Sequence, residues 1–567
     1  MTVPSATQLD ITACTPDTPG VTSFGNVLPG SSTVTSSDCT VTFGSSNDTS
    51  QLRLSQTDGG HVAAMHGLPT GTLDLSFNTT GSTTIAPDGF ELAPYPGGGF
   101  VGIGEQNGGS GWEFGASRIT ESGSTSWNAY RPITGSGDSM PYDVAIDAAG
   151  KIVLAGHSGV GNPDFTVMRL NSDGSLDTTF NAAGTPGWTV AAAGPNEQDF
   201  KGVDIQSDGG IVAAGYDETD GWGKVYRFTD SGDIDTSFGT GGFLKLDQLA
   251  GSSETKPHDV TVLPDDSILV SGIVYEAFGF DVFVVKLTPD GAIDTSWGAS
   301  GWRTLYAHLA VDEFLDDPMQ VSYDAARDRA WIVASTEPSD IDTLVGLLDV
   351  DAGDWVNGFG TAGRLEYDVA PGADDYGSGI AAAADGSAYV LSFDDSTNKI
   401  SIRHVDADGT FDTSFGTSGT WTQPSATTDY QYRGKLMMDR DGRLVALADQ
   451  TIYRFETQTI PDYASGTADW SSAGGGFGAC LRSVGGGGGT DGTTWAVDGG
   501  ADCLATNGDT WMPIVADAST AGSKVARRTT PGTATASLRF GLRAPDFATP
   551  GTYVAPIQFD VLAPDAP

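Results

Sequence analysis

A short phrase containing an aspartate and an aromatic residue recurs along this chain, and it constrains the fold more than any other feature. Its clear copies are LDLSFN at 73–78, LDTTFN at 176–181, IDTSFG at 234–239, IDTSWG at 293–298 and FDTSFG at 411–416. Two weaker copies lie at 124–128 and 354–360. The aromatic residues of the seven copies, spaced 50 to 62 residues apart, are Phe77, Trp127, Phe180, Phe238, Trp297, Phe359 and Phe415. A fixed period of this length indicates one supersecondary unit used repeatedly.

Each unit consists of short β-rich runs that are separated by Asp-Gly or Gly-rich turns. The stretch 144–156, VAIDAAGKIVLAG, contains two such runs, and FTVMRL at 165–170 is a third. Runs of this kind form antiparallel strands joined by hairpins, and no segment sustains the period of 3.6 that a helix needs. Four strands in a unit of this size are typical of a β-propeller blade. Counting the second and third runs gives seven blades.

The two ends of the repeat region are complementary. The strand predicted at 82–86 has no preceding unit to join, and the last unit, 435–455, lacks a fourth strand. Pairing the two would close the ring and remove two exposed sheet edges.

The pattern DGSLDTTF at 173–180, taken with the run at 144–156, resembles the delta-60 repeat. That family occurs in secreted and surface proteins of bacteria. The resemblance covers roughly residues 71–457 and implies a propeller. It says little about function, because propellers carry unrelated activities.

Composition narrows the function classes. The formal net charge of −45, from 73 acidic and 28 basic residues, argues against nucleic acid and anionic membranes as partners. No apolar run approaches membrane-spanning length. No export signal is recognisable at Met1, so we expect that one has been removed or that the chain is a segment of a larger polypeptide. An extracellular or cell-surface location fits this composition best.

The four cysteines all lie outside the repeats, at Cys14, Cys39, Cys480 and Cys503. They lack the spacing of a metal site, so two disulfides are expected in an exported protein. Three connectivities are possible, and we favour the local pairs Cys14–Cys39 and Cys480–Cys503.

The first flank reads VTSFGNVLPG at 21–30, with strand-like runs at 39–43 and 51–55, and the second closes with ASLRFGL at 536–542 and PGTYVAPIQFDV at 550–561. In these segments the two flanks resemble the opening and closing halves of an immunoglobulin-like domain of bacterial surface proteins. Each half alone has too few strands for a stable two-layer core. We therefore predict an all-β chain in which a seven-bladed propeller, 67–457, is inserted into one sandwich made from 1–66 and 458–567. The alternative is two small independent β domains.

The repeated aspartate suggests calcium, most of all at Asp406, Asp408 and Asp412. The alternative is structural, since an aspartate in a turn accepts hydrogen bonds from the backbone that follows it. Recurrence in every unit favours the structural role, and the glutamate and flanking helices of an EF-hand are missing.

Acidic residues also recur just before the first strand of each unit. If that strand lines the axis, their carboxylates surround one mouth of the channel, where like charges raise each other's pKa unless a cation binds. We hypothesise a divalent cation or cationic ligand at this mouth; the alternative is a solvated acidic loop. The residues are Asp88, Asp138, Asp199, Glu254, Asp317, Asp375 and Asp429.

Enzymatic signatures are absent from the sequence, since the six histidines are scattered and no nucleophile elbow is present. We expect an extracellular structural or adhesion protein, whose partners are copies of itself, cell-surface components or glycans. The strand near 8–13 could pair with a neighbouring subunit. The alternative is a carbohydrate-binding propeller, and a hydrolase or lyase comes third. The aromatic residues expected in outer loops, where they could stack on sugar rings, are Trp112, Tyr130, Trp222, Tyr275, Phe278 and Phe280.

Overall fold

The structure of the chain is a computed structural model. It describes residues 7–12, 21–27, 35–45, 50–55, 65–67, 69–107, 111–133, 138–159, 161–191, 195–248, 252–276, 279–309, 319–336, 341–383, 385–426, 434–439, 442–448, 450–456, 459–460, 476–490, 495–499, 503, 511–512, 514, 524–543, 551–556 and 558–562. Every named element in these ranges is a β-strand, as the all-β prediction requires. They contain no helix that is long and apolar enough to cross a membrane.

The chain forms two compact units. The ring unit is Thr70–Glu456, and the flanking unit combines Met1–Pro69 with Thr457–Pro567. Five strands precede the ring unit: β1 (Thr7–Thr12), β2 (Val21–Val27), β3 (Thr35–Ser45), β4 (Ser50–Ser55) and β5 (Met65–Gly67).

The described part of the ring unit contains seven antiparallel sheets, numbered here in chain order. It begins with β6 (Ser82–Thr84). Sheet 1 is β7 (Asp88–Pro94), β8 (Phe100–Asn107), β9 (Trp112–Ile119) and β10 (Thr125–Arg131). Sheet 2 is β11 (Asp138–Ile146), β12 (Ile152–Gly159), β13 (Asp164–Leu170) and β14 (Trp188–Val190). Sheet 3 is β15 (Gln198–Ile205), β16 (Ile211–Asp217), β17 (Trp222–Phe228) and β18 (Phe243–Lys245).

The remaining sheets repeat this plan. Sheet 4 is β19 (Glu254–Val262), β20 (Ile268–Glu276), β21 (Gly279–Leu287) and β22 (Trp302–Leu309). Sheet 5 is β23 (Gln320–Asp324), β24 (Arg329–Thr336), β25 (Asp342–Asp349), β26 (Asp354–Trp355) and β27 (Arg364–Tyr367). Sheet 6 is β28 (Asp375–Ala382), β29 (Ala388–Asp394), β30 (Lys399–Val405) and β31 (Thr420–Thr422). Sheet 7 is β32 (Gly434–Met438), β33 (Leu444–Ala448) and β34 (Thr451–Arg454).

The ring closes between its two ends. Strand β6, from the start of the unit, completes sheet 7 by pairing with β34, with Thr83 opposite Ile452. This confirms the predicted pairing of 82–86 with the last unit. The first strands of the sheets also contact one another in sequence from β7 to β32, and β32 contacts β7. The first strands therefore form a closed ring around an axis.

Both faces of each sheet are buried, which explains the continuous apolar runs in the sequence. In β12, Leu154 packs into the apolar layer shared with sheet 1, and the adjacent Val153 packs into the layer shared with sheet 3. Successive side chains of a strand point to opposite faces. An inner strand with a neighbour on each side must therefore be apolar at consecutive positions.

The repeated aromatic residue locks each sheet to the next. Phe180 of sheet 2 is fully buried, and Gly232, in the turn that follows the third strand of sheet 3, lies on its ring. The next residue, Asn181, donates its backbone N–H to the carbonyl oxygen of Ser231 in the same turn, at 2.6 Å. The aromatic–glycine pairs around the ring are Phe77–Gly123, Trp127–Gly174, Phe180–Gly232, Phe238–Gly291, Trp297–Gly353, Phe359–Gly409 and Phe415–Gly71. The last of these pairs joins sheet 6 to the turn that enters sheet 7.

The flanking unit combines strands from both ends of the chain. Its C-terminal strands are β35 (Thr459–Ile460), β36 (Gly476–Gly485), β37 (Gly489–Thr490), β38 (Trp511–Met512), β39 (Lys524–Arg528), β40 (Gly532–Arg543), β41 (Gly551–Pro556) and β42 (Gln558–Leu562). The three sheets described are β1-β3-β40-β36-β38, β2-β41-β5-β35 and β37-β39-β4-β42. Each sheet contains strands of both flanks.

One of the two favoured disulfides lies within the described residues. Cys480 and Cys503 are bonded, with Cα atoms 6.0 Å apart, and they pack with Trp511 in a small buried cluster. Cys14 and the side chain of Cys39 lie outside the described part of the chain, so the second pair stays a prediction.

We predict that Gly232→Ala destabilises the ring unit more than Gly241→Ala does. Both glycines have positive φ, at 85° and 71°, so both substitutions carry a backbone cost of about 1–2 kcal/mol. A Cβ on Gly232 would lie 2.9 Å from the ring of Phe180, whereas a Cβ on Gly241 would meet nothing within 4 Å. The clash in Gly232→Ala should increase the loss of unfolding free energy by about 1–3 kcal/mol, measured by denaturant unfolding. Equal losses of unfolding free energy in the two variants would contradict a stabilising contact between Phe180 and Gly232.

Candidate functional site

One face of the ring carries both the recurring acidic residues and aromatic side chains that differ between sheets. The first strands begin there, and they pair with the ends of the second strands: Glu254 lies opposite Tyr275, and Asp375 opposite Asp394. The hairpins between second and third strands therefore lie on the same side. We call this side the first-strand face.

The repeated aspartates lie on the opposite side, in the turn after the third strand. Oδ1 of Asp177 accepts hydrogen bonds from the backbone N–H (3.1 Å) and the hydroxyl (2.6 Å) of Thr179. Its Oδ2 accepts from Nε of Arg169 on the third strand, at 2.8 Å. Burial raises the pKa of Asp177, but the hydrogen bonds from Lys151, Thr179 and Arg169 outweigh it and lower that pKa overall. The same hydroxyl-capped turn recurs at Asp74, Asp235, Asp294 and Asp412.

The three residues that the sequence suggested for calcium take part in these turns. Asp408 accepts from the backbone and hydroxyl of Thr410, at 2.9 and 2.7 Å. Oδ2 of Asp412 lies 3.0 Å from Nδ1 of His404, and this contact lowers the pKa of Asp412. Oδ2 of Asp406 accepts a longer bond from Thr410, at 3.3 Å. Protein donors therefore occupy oxygens of all three carboxylates, and the calcium hypothesis at this position stays a prediction.

The acidic residues predicted at the channel mouth start the first strands instead of preceding them. Asp88, Asp138, Glu254 and Asp375 are the first residues of their strands, and Asp199 is the second of β15. Oε1 of Glu254 lies 3.3 Å from Nζ of Lys256, and Asp88 accepts a hydrogen bond from the side chain of Gln450. Asp317, Asp429 and the side chain of Asp138 lie outside the described residues.

Two groups of three potential metal ligands occur within the described part of the chain, and each includes one of these acidic residues. The first is His157, Glu197 and Asp199; the second is Asp342, Asp368 and Asp375. In the first group, Asp199 already contacts Nδ1 of His157 and lies 3.4 Å from Nζ of Lys201. Burial raises the pKa of Asp199, but Lys201 and His157 outweigh it and bring the pKa to about 2. This carboxylate is therefore paired with a lysine and a histidine of the protein.

A cluster of carboxylates that the sequence reasoning missed lies deeper, along the axis. Asp143, Asp204 and Asp259 belong to the first strands of sheets 2, 3 and 4. Each accepts a hydrogen bond from a backbone N–H of the next sheet's first strand. The bonds are Val203 N to Asp143 Oδ2 (2.6 Å), Val262 N to Asp204 Oδ2 (2.7 Å) and Val321 N to Asp259 Oδ2 (2.7 Å).

Two neutral side chains continue this role between sheets 5 and 6. Gln320 Oε1 accepts from Ile380 N at 2.8 Å, and Ser322 Oγ accepts from Ala382 N at 2.9 Å. The inner edge of a first strand has no further strand to pair with, so its N–H groups need other acceptors. The axial side chains provide them and tie neighbouring sheets together.

The axial cluster has more carboxyl groups than basic groups among the described residues. Glu91 of sheet 1 pairs with Lys435 of sheet 7 at 2.9 Å. Burial raises the pKa values of Glu91, Asp143 and Asp259, while Lys435 lowers them. Burial also raises the pKa of Asp204, to about 6, against the hydrogen bonds from Val262 and Ile205. Burial would lower the pKa of Lys435, but the surrounding carboxylates raise it.

A sequence signal for this cluster exists. Aspartate stands in the first strands of three consecutive units, at Asp143, Asp204 and Asp259. A β-bulge precedes Asp143 and Asp259, and another precedes Glu91. A bulge redirects the side chain that follows it. Strand alternation alone therefore gave no reason to place these residues on the axis.

The aromatic residues expected in outer loops lie instead in strands, near their ends on the first-strand face. Trp112 and Trp222 are the first residues of β9 and β17, and Tyr130 lies near the end of β10. Tyr275 packs edge-on against Phe280 across the β20–β21 hairpin, with ring centroids 4.2 Å apart. The loop prediction was wrong for these residues because the pairing of second and third strands extends to Trp112, Trp222, Tyr275 and Phe280. Phe278 lies outside the described residues.

Comparison with known proteins supports the fold. The chain matches a protein-family model described as "Domain of unknown function (DUF5122) beta-propeller" over residues 150–180, 206–238 and 263–296. These stretches lie in sheets 2 to 4, so the ring unit is a β-propeller by topology and by this match. No curated protein matches the chain.

Solved structures give more distant similarities. A Lactobacillus plantarum protein is 14% identical, covering 64% of this chain and 94% of that one, with a TM-score of 0.39. The extracellular domains 1–2 of Drosophila Semaphorin 1b are 10% identical, covering 71% and 87%, with a TM-score of 0.37. Polysaccharide lyase Uly1 is 12% identical, covering 72% and 99%, with a TM-score of 0.38. Likenesses this weak carry no argument about function.

We predict that acidification favours the wild-type fold over Asp204→Asn. A carboxyl whose pKa is higher in the folded than in the unfolded chain contributes stability below its unfolded pKa and loses it as pH rises through the folded value. For Asp204 that window runs from an ordinary 3.8 to about 6. Between pH 7 and pH 4 the wild type should gain about 2 kcal/mol relative to Asp204→Asn, measured by denaturant unfolding. The non-titrating control Leu75→Ala should keep the wild-type profile, and a pH-independent difference for Asp204→Asn would contradict the assignment.

Proposed function

We propose that the protein is an extracellular structural or adhesion protein, in which a seven-bladed β-propeller is inserted into an immunoglobulin-like sandwich. The sandwich, formed by the flanking unit, anchors or assembles the molecule. The propeller presents its first-strand face to a ligand or a neighbouring molecule. Copies of the chain, cell-surface components and glycans are the proposed partners.

The main support for this proposal is that the two sides of the ring carry residues with different roles. Residues that repeat from sheet to sheet, such as Asp177, Phe180 and Gly232, are engaged in capping turns and locking sheets. The first-strand face carries recurring acidic residues, whereas its aromatic residues differ between sheets. A rigid frame that holds variable side chains on one side is how many proteins build recognition surfaces.

Composition and covalent structure support an extracellular setting. The Cys480–Cys503 disulfide is typical of oxidising compartments. The net charge of −45 favours cationic or neutral partners over nucleic acids and anionic lipids.

The flanking unit has a feature suited to assembly. Among the described strands of the flanking unit, β1 lies at the end of its five-stranded sheet, with β3 on one side. An edge strand can accept a strand from another molecule through backbone hydrogen bonds. This is the position that the sequence suggested for subunit pairing, near residues 8–13, and β1 covers it up to Thr12.

A carbohydrate-binding propeller is the second candidate, and the aromatic groups of the first-strand face favour it. Trp222 is half-buried, with Nζ of Lys245 5.8 Å from its ring centroid. Nζ of Lys256 lies 4.7 and 5.2 Å from the rings of Tyr216 and Tyr275. Aromatic rings beside polar groups suit the flat apolar faces and hydroxyls of sugars.

The assembly role predicts ordered polymers that lengthen with protein concentration in negative-stain microscopy. Gln8→Pro and Leu9→Pro form a matched pair, because backbone groups alternate between the two sides of a strand. One substitution removes an N–H from the open edge of β1, and the other removes one that faces β3. We expect the open-edge variant to stop polymerisation without loss of thermal stability, and its partner to lower stability.

Discrete particles at every concentration would contradict assembly through β1. Saturable binding to a glycan array by those particles, lost in Trp222→Ala and kept in Leu75→Ala, would then favour the second candidate. Leu75 serves as the control because it is exposed and belongs to the repeated phrase on the opposite side of the ring.

A further inference from the structure

Three carboxylates from two neighbouring sheets converge on the first-strand face. Asp342 begins β25 of sheet 5, Asp368 follows β27 of the same sheet, and Asp375 begins β28 of sheet 6. One oxygen of each lies within 4.8 Å of the others. The connection 368–374 thus brings together residues from separate parts of the chain.

Asp375 is held in place by its surroundings. Its Oδ2 accepts hydrogen bonds from the backbone N–H groups of Val369 (2.7 Å) and Ala370 (2.8 Å). Its own N–H donates to the carbonyl oxygen of Ile341 at 2.6 Å. Backbone bonds on both sides leave this carboxyl little freedom to turn towards solvent.

The second oxygen of Asp375 is unusual. The residue is fully buried, and Oδ1 has no hydrogen-bond partner among the described residues. A buried polar atom without a partner costs free energy and calls for an explanation such as a bound ion. Burial raises the pKa of Asp375 to about 6, and the charges of Asp394 and Asp368 act in the same direction.

The other potential ligand group provides an internal comparison. In that group burial raises the pKa of Asp199, but the contacts with Lys201 and His157 outweigh it and bring the pKa to about 2. Asp375 instead has like charges beside it and an oxygen left over. Of these two groups, the one between sheets 5 and 6 is therefore the one in which a buried carboxylate oxygen has no protein partner among the described residues.

We propose that Asp342, Asp368 and Asp375 bind a calcium ion that joins sheets 5 and 6. Calcium takes oxygen ligands in irregular arrangements, and carboxylates are prominent among them. An all-oxygen donor set selects hard cations over zinc or copper. Asp368 is exposed, so the ion has a route from solvent and can complete its shell with water.

The test is a calcium titration by isothermal calorimetry on the full chain after dialysis against a chelator. We expect one saturable site, with a dissociation constant of roughly 10⁻⁵ to 10⁻³ M. Asp375→Asn and Asp368→Asn should each weaken it by about tenfold or more, because each removes a charged ligand. Asp408→Asn, which alters a capped turn on the opposite side of the ring, should bind as the wild type does.

A second set of measurements distinguishes loss of the binding site from misfolding of a variant. Terbium replaces calcium and is excited through nearby aromatic rings, and Tyr367 and Tyr376 stand next to Asp368 and Asp375 in the chain. Asp368→Asn changes an exposed side chain and should keep the wild-type melting temperature measured without calcium. Weak, non-saturable binding by the wild type, or saturable binding that survives Asp368→Asn or disappears in Asp408→Asn, would overturn the proposal.

Discussion

The ring unit depends on one contact made seven times. In each sheet the aromatic residue of the repeated phrase lies beneath a glycine from the next sheet, as the buried Phe180 does beneath Gly232. The glycine has positive φ and no side chain, so the following turn can lie flat on the ring. This contact explains why the phrase and the Gly turn recur together. It also sets the distance between neighbouring sheets.

Closure and the axial hydrogen bonds follow from that arrangement. Once each sheet sits on the next, the N-terminal β6 reaches β34 and completes the last sheet. The first strands then meet around the axis, where Asp143, Asp204 and Asp259 accept N–H groups that have no strand to pair with. The frame therefore supplies hydrogen-bond acceptors for N–H groups on the inner edges of its own sheets. The first-strand face is left for side chains that differ between sheets. Recognition and cation binding are proposed for that face.

Most of the frame could be predicted from the sequence, because the same local interactions recur in each repeat and leave the same residue pattern. Phe77 to Phe415, the capping aspartates and the closing strand were all recognisable in this way. The site residues were harder. Asp342 and Asp368 belong to no repeated phrase, and the connection 368–374 brings them to Asp375. A β-bulge directly precedes Asp143 and Asp259 and changes the direction of the side chains that follow, so strand alternation could not assign these carboxylates to the axis.

Amide hydrogen exchange on sheet 7 tests the closed ring most directly. If β6 completes the sheet and every aromatic–glycine contact between neighbouring sheets is made, amides of β34 and β6 should exchange only through unfolding of the whole ring unit. Their opening free energies should then match those of β12 and β20 to within about 1 kcal/mol. Opening of sheet 7 at a free energy several kcal/mol lower would show that the ring is not closed at this point. It would contradict the account of the fold on which the proposed first-strand face depends.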